Sequence, residues 1–135
     1  MPKRTYIDTC LLIAAFKGEG ELGRRALSVL DDPGRLLVVS DAVRLEALPK
    51  ARFHKQHQEV AFYEAVFSQA ENIAWDGAAL QHALVIAESH GVAAMDAIHV
   101  AHAAVAGVTE FISAEKPTKP MFRLKSLAMQ SIRDA

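Results

Sequence analysis

Three features of this chain predict a three-layer α/β/α sandwich on a mainly parallel sheet. Strand-like and helical segments alternate along its length, one strand is a continuous apolar run, and acidic residues stand where strand-like segments end. With 135 residues and a hydrophobic fraction of 51%, the chain is expected to close one core as a single domain, residues 1–135.

The β-favouring stretch Thr5 to Ile7 ends at Asp8, and Thr9 to Phe16 reads as a helix closed by Lys17-Gly18. A second helix, Glu21 to Leu30, places Leu22, Ala26, Val29 and Leu30 on one face and ends at the turn Asp32-Pro33-Gly34. Leu36-Leu37-Val38-Val39 has no polar alternation, the pattern of a central parallel strand covered on both faces. Ser40-Asp41 then supplies N-cap chemistry for a helix through Glu46.

Between Gln56 and Ala70, Val60, Tyr63, Phe67 and Ala70 recur at helical spacing, while Phe62 and Val66 widen the apolar surface beyond one contact. That width predicts an interface, and with it a homodimer or a bound partner. A short strand, Asn72 to Trp75, leads to Asp76 as N-cap of a helix stopping near His90-Gly91. From Ala93 to Ala106 seven alanines mark a closely packed helix, ended by Gly107 before the strand Glu110 to Ser113. After Lys116 the expectation is a loop and one last strand, Ala128 to Ile132.

Fifteen Lys and Arg against sixteen Asp and Glu give a net charge of -1, which excludes a global basic field for nucleic acid and requires any such binding to be local. The lone Cys10 excludes an internal disulfide. No apolar run approaches the roughly 20 residues of a membrane span, and Met1-Pro2-Lys3-Arg4 leads into a strand rather than a signal-peptide core. The expectation is an unprocessed cytoplasmic protein without a membrane partner.

In an open parallel sheet, ligands bind at the carboxyl ends of the strands, where the strand order reverses. Asp8 and Glu115 follow strands, and Asp96 lies in the first turn of the alanine-rich helix, so three carboxylates fall at element ends that can share one edge. Crowded carboxylates oppose one another's ionisation unless a cation joins them. Mg²⁺ or Mn²⁺, hard ions that prefer oxygen, would resolve this. Each acid also has an ordinary reading: Asp8 as a cap, Asp96 as a favourable charge at a helix N-terminus, Glu46 as a surface partner of Lys50, Glu115 as a solvated charge.

Four segments in order carry a resemblance: Thr5-Tyr6-Ile7-Asp8-Thr9 before an apolar helix, Val43-Arg44-Leu45-Glu46-Ala47-Leu48, Met95-Asp96-Ala97-Ile98-His99, and Phe111-Ile112-Ser113-Ala114-Glu115. Together they resemble the motifs of PIN domains and span nearly the whole chain. The fourth departs from the family pattern, with Ser113 and Glu115 where Thr and Asp are usual. The resemblance implies a Mg²⁺- or Mn²⁺-dependent endoribonuclease similar to VapC toxins, with RNA as substrate and an antitoxin as possible partner. It further implies metal held by Asp8, Asp96 and Glu115, with Glu46 completing the catalytic set. Thr9 and Ser113 would hydrogen-bond the carboxylates or serve as ordinary caps. The alternative is a catalytically silent PIN-like module that binds RNA or protein. A phosphoacceptor domain fits less well, because Cys10 stands where a second acid is required.

Lys50, Arg52, His54, Lys55 and His57 form a basic cluster that suits an RNA backbone or a solvated face. His99, one turn beyond Asp96, reads as a satisfied core histidine, and Cys10 as a small buried hydrophobe.

Overall fold

A computed structural model describes residues 2–134; Met1 and Ala135, which the expected 1–135 domain includes, lie outside the described residues. Strand β1 (Lys3–Ile7) leads to helices α1 (Thr9–Lys17) and α2 (Gly20–Asp31), then β2 (Arg35–Ser40), α3 (Asp41–Phe53) and α4 (His57–Gln69). β3 (Glu71–Ile73), α5 (Gly77–His90), α6 (Ala94–Ala106) and β4 (Glu110–Ser113) follow, and a 3-10 turn, Pro120–Arg123, precedes β5 (Met129–Ser131).

The five strands are all parallel in the order β3-β2-β1-β4-β5, and helices complete a three-layer α/β/α sandwich. Tyr6 of β1 lies level with Val38 of β2 and Phe111 of β4. These residues are fully buried, as are Ile7, Val39 and Ile112, which is why the strands read as apolar runs rather than alternations. β2 is internal, as its composition predicts, but the middle strand is β1. The third strand lies one to two residues earlier than expected, Glu71–Ile73 rather than Asn72 to Trp75.

At the junction of α1 and α2, Gly18 ends α1 in the left-handed region, with φ 61°. A Cβ on Gly23 would lie 2.3 Å from the Gly18 carbonyl carbon, so the α1–α2 corner closes only with glycine there.

Part of the apolar width of α4 is used within the fold. The helix packs against both α1 and α3, so its apolar residues serve two neighbours. Phe62 and Val66 are half-buried against the core, and the Phe62 ring meets Phe16 of α1 at 5.7 Å between centroids. The large exposed apolar side chains lie elsewhere, including Leu45 and Phe53 on α3 and Leu84 and Val85 on α5.

Ion pairs tie together the amino-terminal edge of the sheet. Arg4 on β1 reaches across to Glu71 through two hydrogen bonds of 3.0 and 2.7 Å and also donates to the Ala106 carbonyl at the end of α6. Arg35 at the start of β2 donates to Glu110 at 2.9 Å, and Thr5 donates to the same carboxylate oxygen at 2.6 Å. Among the described residues, no helix is long and apolar enough to cross a membrane.

Candidate active site

The opposite, carboxyl edge carries the acids. β2 and β4 flank β1, so the chain's order across the sheet reverses between β1 and β4, and a crevice opens there. Asp8 follows β1 directly, and Glu115 lies two residues beyond β4. Asp96 is in the first turn of α6, and Glu46 is midway along α3. All four line one small cleft of about 60 Å³, with Thr9, Cys10 and His99 in its wall.

Asp8 is 3% exposed and held from two sides. Its Oδ1 accepts from the Leu11 amide at 3.1 Å, capping α1, and its Oδ2 accepts from the Ser113 hydroxyl at 2.6 Å. Capping and a place in the cleft are therefore not alternatives; one carboxylate does both. Ser113 Oγ in turn accepts from the Glu115 amide at 2.9 Å, so the end of β4 is keyed to the end of β1. Burial pushes the Asp8 pKa up to about 6 despite the Ser113 and Leu11 hydrogen bonds. Burial also raises Asp96, whose nearest compensating charge is Lys119.

Glu46 stays exposed, as the surface reading expects, but it pairs with groups of the cleft rather than with Lys50. Its Oε1 accepts from Thr9 Oγ1 and from His99 Nε2, each at 2.6 Å. The His99 contact, chiefly, holds the carboxyl below its ordinary range and outweighs burial. His99 is 3% exposed and its Nδ1 meets the Tyr6 hydroxyl at 2.9 Å, which meets Ser40 Oγ at 2.7 Å. A neutral His99 with its proton on Nε2 lets every group donate in one direction: Ser40 to Tyr6, Tyr6 to His99, His99 to Glu46. Ser40 occupies the N-cap position of α3, but its hydroxyl serves this chain instead of capping the helix, a correction to the role expected of it. His99 is a satisfied core histidine, and what satisfies it is an acid of the cleft. Among the described residues Glu46 Oε2 takes no protein hydrogen bond, so that oxygen is free for a water or an ion.

Glu110, the other acid near the fourth motif, begins β4 at the far edge, away from Glu115; burial there is outweighed by the Thr5 and Arg35 hydrogen bonds, which hold its pKa below the ordinary range. Lys119, for which the sequence offered no signal, places its ammonium 3.5 Å from Glu115 Oε2 and 4.0 Å from Asp96 Oδ2. Cys10 is half-buried rather than buried, and desolvation, reinforced by Asp8 and Glu115, raises its thiol to about 12.

The donor set suits a hard divalent ion. The cleft presents carboxylate oxygens, Cys10 stays a protonated thiol, and the ring nitrogens of His99 are engaged by Tyr6 and Glu46, so soft or nitrogen ligation has no donors here. Among the described residues no group of three or more His, Cys, Asp or Glu side chains is placed so that it could hold an ion as it stands.

The basic cluster divides. Arg52 pairs with Glu64, while Lys50 and His54 line a groove between α1, α3 and α4 that shares Glu46 with the acidic cleft.

A family model for the PIN domain matches residues 5–116. No curated relative matches the sequence. Among solved structures, a toxin–antitoxin complex from Klebsiella pneumoniae superposes with a TM-score of 0.77 at 21% identity, covering 97% of this chain and 99% of that one. DNA-bound VapBC from Salmonella typhimurium gives 0.74 at 19% identity, covering 98% and 100%. The sarcin-ricin loop cleaving toxin VapC20 of Mycobacterium tuberculosis gives 0.65 at 15%, covering 88% and 94%. At these identities the likeness is one of fold.

Proposed function

Because the chain belongs to the PIN-domain family, we propose that it is a divalent-metal-dependent endoribonuclease acting as the toxin of a toxin–antitoxin pair. The observation that carries this reading is the cleft itself: Asp8, Glu46, Asp96 and Glu115 arrive from four separate elements at the carboxyl edge where β1 and β4 part. In this reading Asp8, Asp96 and Glu115 hold Mg²⁺ or Mn²⁺ directly or through water. When bound, such an ion supplies a water of lowered pKa and offsets charge on the phosphoryl oxygens.

The chain's own residues supply alignment. Ser113 fixes one oxygen of Asp8 and the Leu11 amide the other, so the carboxylate cannot rotate away. Thr9 and His99 both load Oε1 of Glu46 and leave Oε2 without a protein donor, able to orient a water by accepting a hydrogen bond from it. An RNA strand is the substrate consistent with a cleft whose adjoining groove carries Lys50 and His54. An antitoxin partner is supported by the complexes in which two structural neighbours were solved. Homodimerisation belongs to the same reading, and exposed Leu84 and Val85 on α5 are among the apolar groups available for it; light scattering of wild type and Leu84→Lys tests that face.

Asp96→Asn is expected to fold normally and lose Mg²⁺- or Mn²⁺-dependent RNA cleavage. Undiminished cleavage by the folded variant, or full activity in excess EDTA, would overturn the nuclease reading. A second reading, a silent module that binds RNA or protein, draws on the Lys119 ammonium beside Asp96 and Glu115 and on Glu115 standing in place of the usual Asp. RNA binding without cleavage by metal-loaded wild type would favour it.

A further inference from the structure

Lys119 lies in the loop between Glu115 and the 3-10 turn, with its backbone pinned on both sides: its amide donates to the Lys116 carbonyl at 3.1 Å, and its carbonyl accepts from Phe122 at 3.1 Å. The backbone is placed, but the side chain is not gripped. Its ammonium stands 4.0 Å from Asp96 and 3.5 Å from Glu115, longer than the roughly 2.7–2.9 Å of a strong charge-assisted hydrogen bond, and the side chain is 42% exposed. A flexible, hydrated ammonium at such distances is an exchangeable cation rather than a fixed strut.

Asp96 and Glu115 are two of the three carboxylates that the proposed function assigns to metal. A divalent ion and an ammonium cannot both neutralise the same oxygens without repelling each other. We propose that Lys119 is the cleft's resident counter-cation: it shields Asp96 and Glu115 in the metal-free protein and competes with a divalent ion for them. It thereby sets the ion concentration at which the cleft fills. This inference rests on the metal-dependent reading above and assigns Lys119 a positioning role, not contact with substrate.

The test is calorimetric titration of MnCl₂ into chelator-stripped wild type, Lys119→Gln, Lys119→Arg and the charge-matched control Lys116→Gln, an exposed lysine in the same loop. Removing the competitor should tighten the Kd of Lys119→Gln about threefold, the scale of a partly exposed pair. Lys119→Arg and Lys116→Gln should stay close to wild type. In EDTA, Lys119→Gln should melt below wild type, with the gap closing at saturating Mn²⁺. Metal binding by wild type with equal or weaker binding by Lys119→Gln overturns the role of Lys119 alone. Equal tightening by Lys116→Gln does the same, because it reduces the effect to net charge. Absence of binding by wild type and variants alike overturns the metal reading and this inference with it.

Discussion

Asp8→Asn should make the metal-free protein more stable while removing its ability to hold an ion. Burial raises the Asp8 pKa from an ordinary 3.8 to about 6. With each pKa unit carrying about 1.4 kcal/mol, the ionised carboxylate costs the fold about 3 kcal/mol at neutral pH. Between pH 3.8 and 6 the native state binds more protons than the unfolded chain, so stability falls as pH rises through that window, and the full cost is present above it. Asn removes the charge and keeps a carbonyl oxygen for the Leu11 amide. It weakens the hydrogen bonds by about 1 kcal/mol, since neutral acceptors are poorer than charged ones. A net gain of about 2 kcal/mol remains. At about 2.1 cal/mol/K per residue, the 135-residue chain loses about 0.28 kcal/mol for each degree, so the midpoint should rise by about 7 °C at pH 7.5. The assay is thermal unfolding in EDTA from pH 4 to 7.5, where the wild-type and variant curves should converge toward pH 4. A variant less stable than wild type at pH 7.5, or a difference independent of pH, would show that the buried carboxylate carries no such cost.

Tyr6→Phe removes the hydroxyl linking Ser40 and His99 and leaves two buried polar atoms without that partner; a loss of about 1–3 kcal/mol is expected by urea unfolding, with kcat reduced more than KM changes. A stability change below about 0.5 kcal/mol would remove that hydroxyl from the account of Glu46. In the fourth acid, Glu115→Ala should lower metal affinity by calorimetry and Glu115→Asp should retain or improve it. Glu110→Ala should leave affinity unchanged and cost about 1 kcal/mol through Thr5 and Arg35, and a loss of metal binding in that variant would reverse the assignment of the two acids.

Periodicity and punctuation in the sequence determined the alternation of strands and helices, because the apolar run Leu36 to Val39 and the glycines after α1, α5 and α6 act locally. The same local logic put Asp8, Asp96 and Glu115 at element ends. What local chemistry could not specify was partnership. Lys50 lies one helical turn from Glu46 in sequence, yet Glu46 bonds to His99, which is 53 residues away. Helix α6 brings that imidazole against the hydroxyl of Tyr6, on the strand that pairs with β2. That two helices, α1 and α3, share part of the apolar width of α4 is likewise not visible in the sequence. Lys119 carries no motif at all; its ammonium reaches Asp96 and Glu115 because the turn after β4 folds it back over the carboxyl edge, a placement set by chain path rather than residue type.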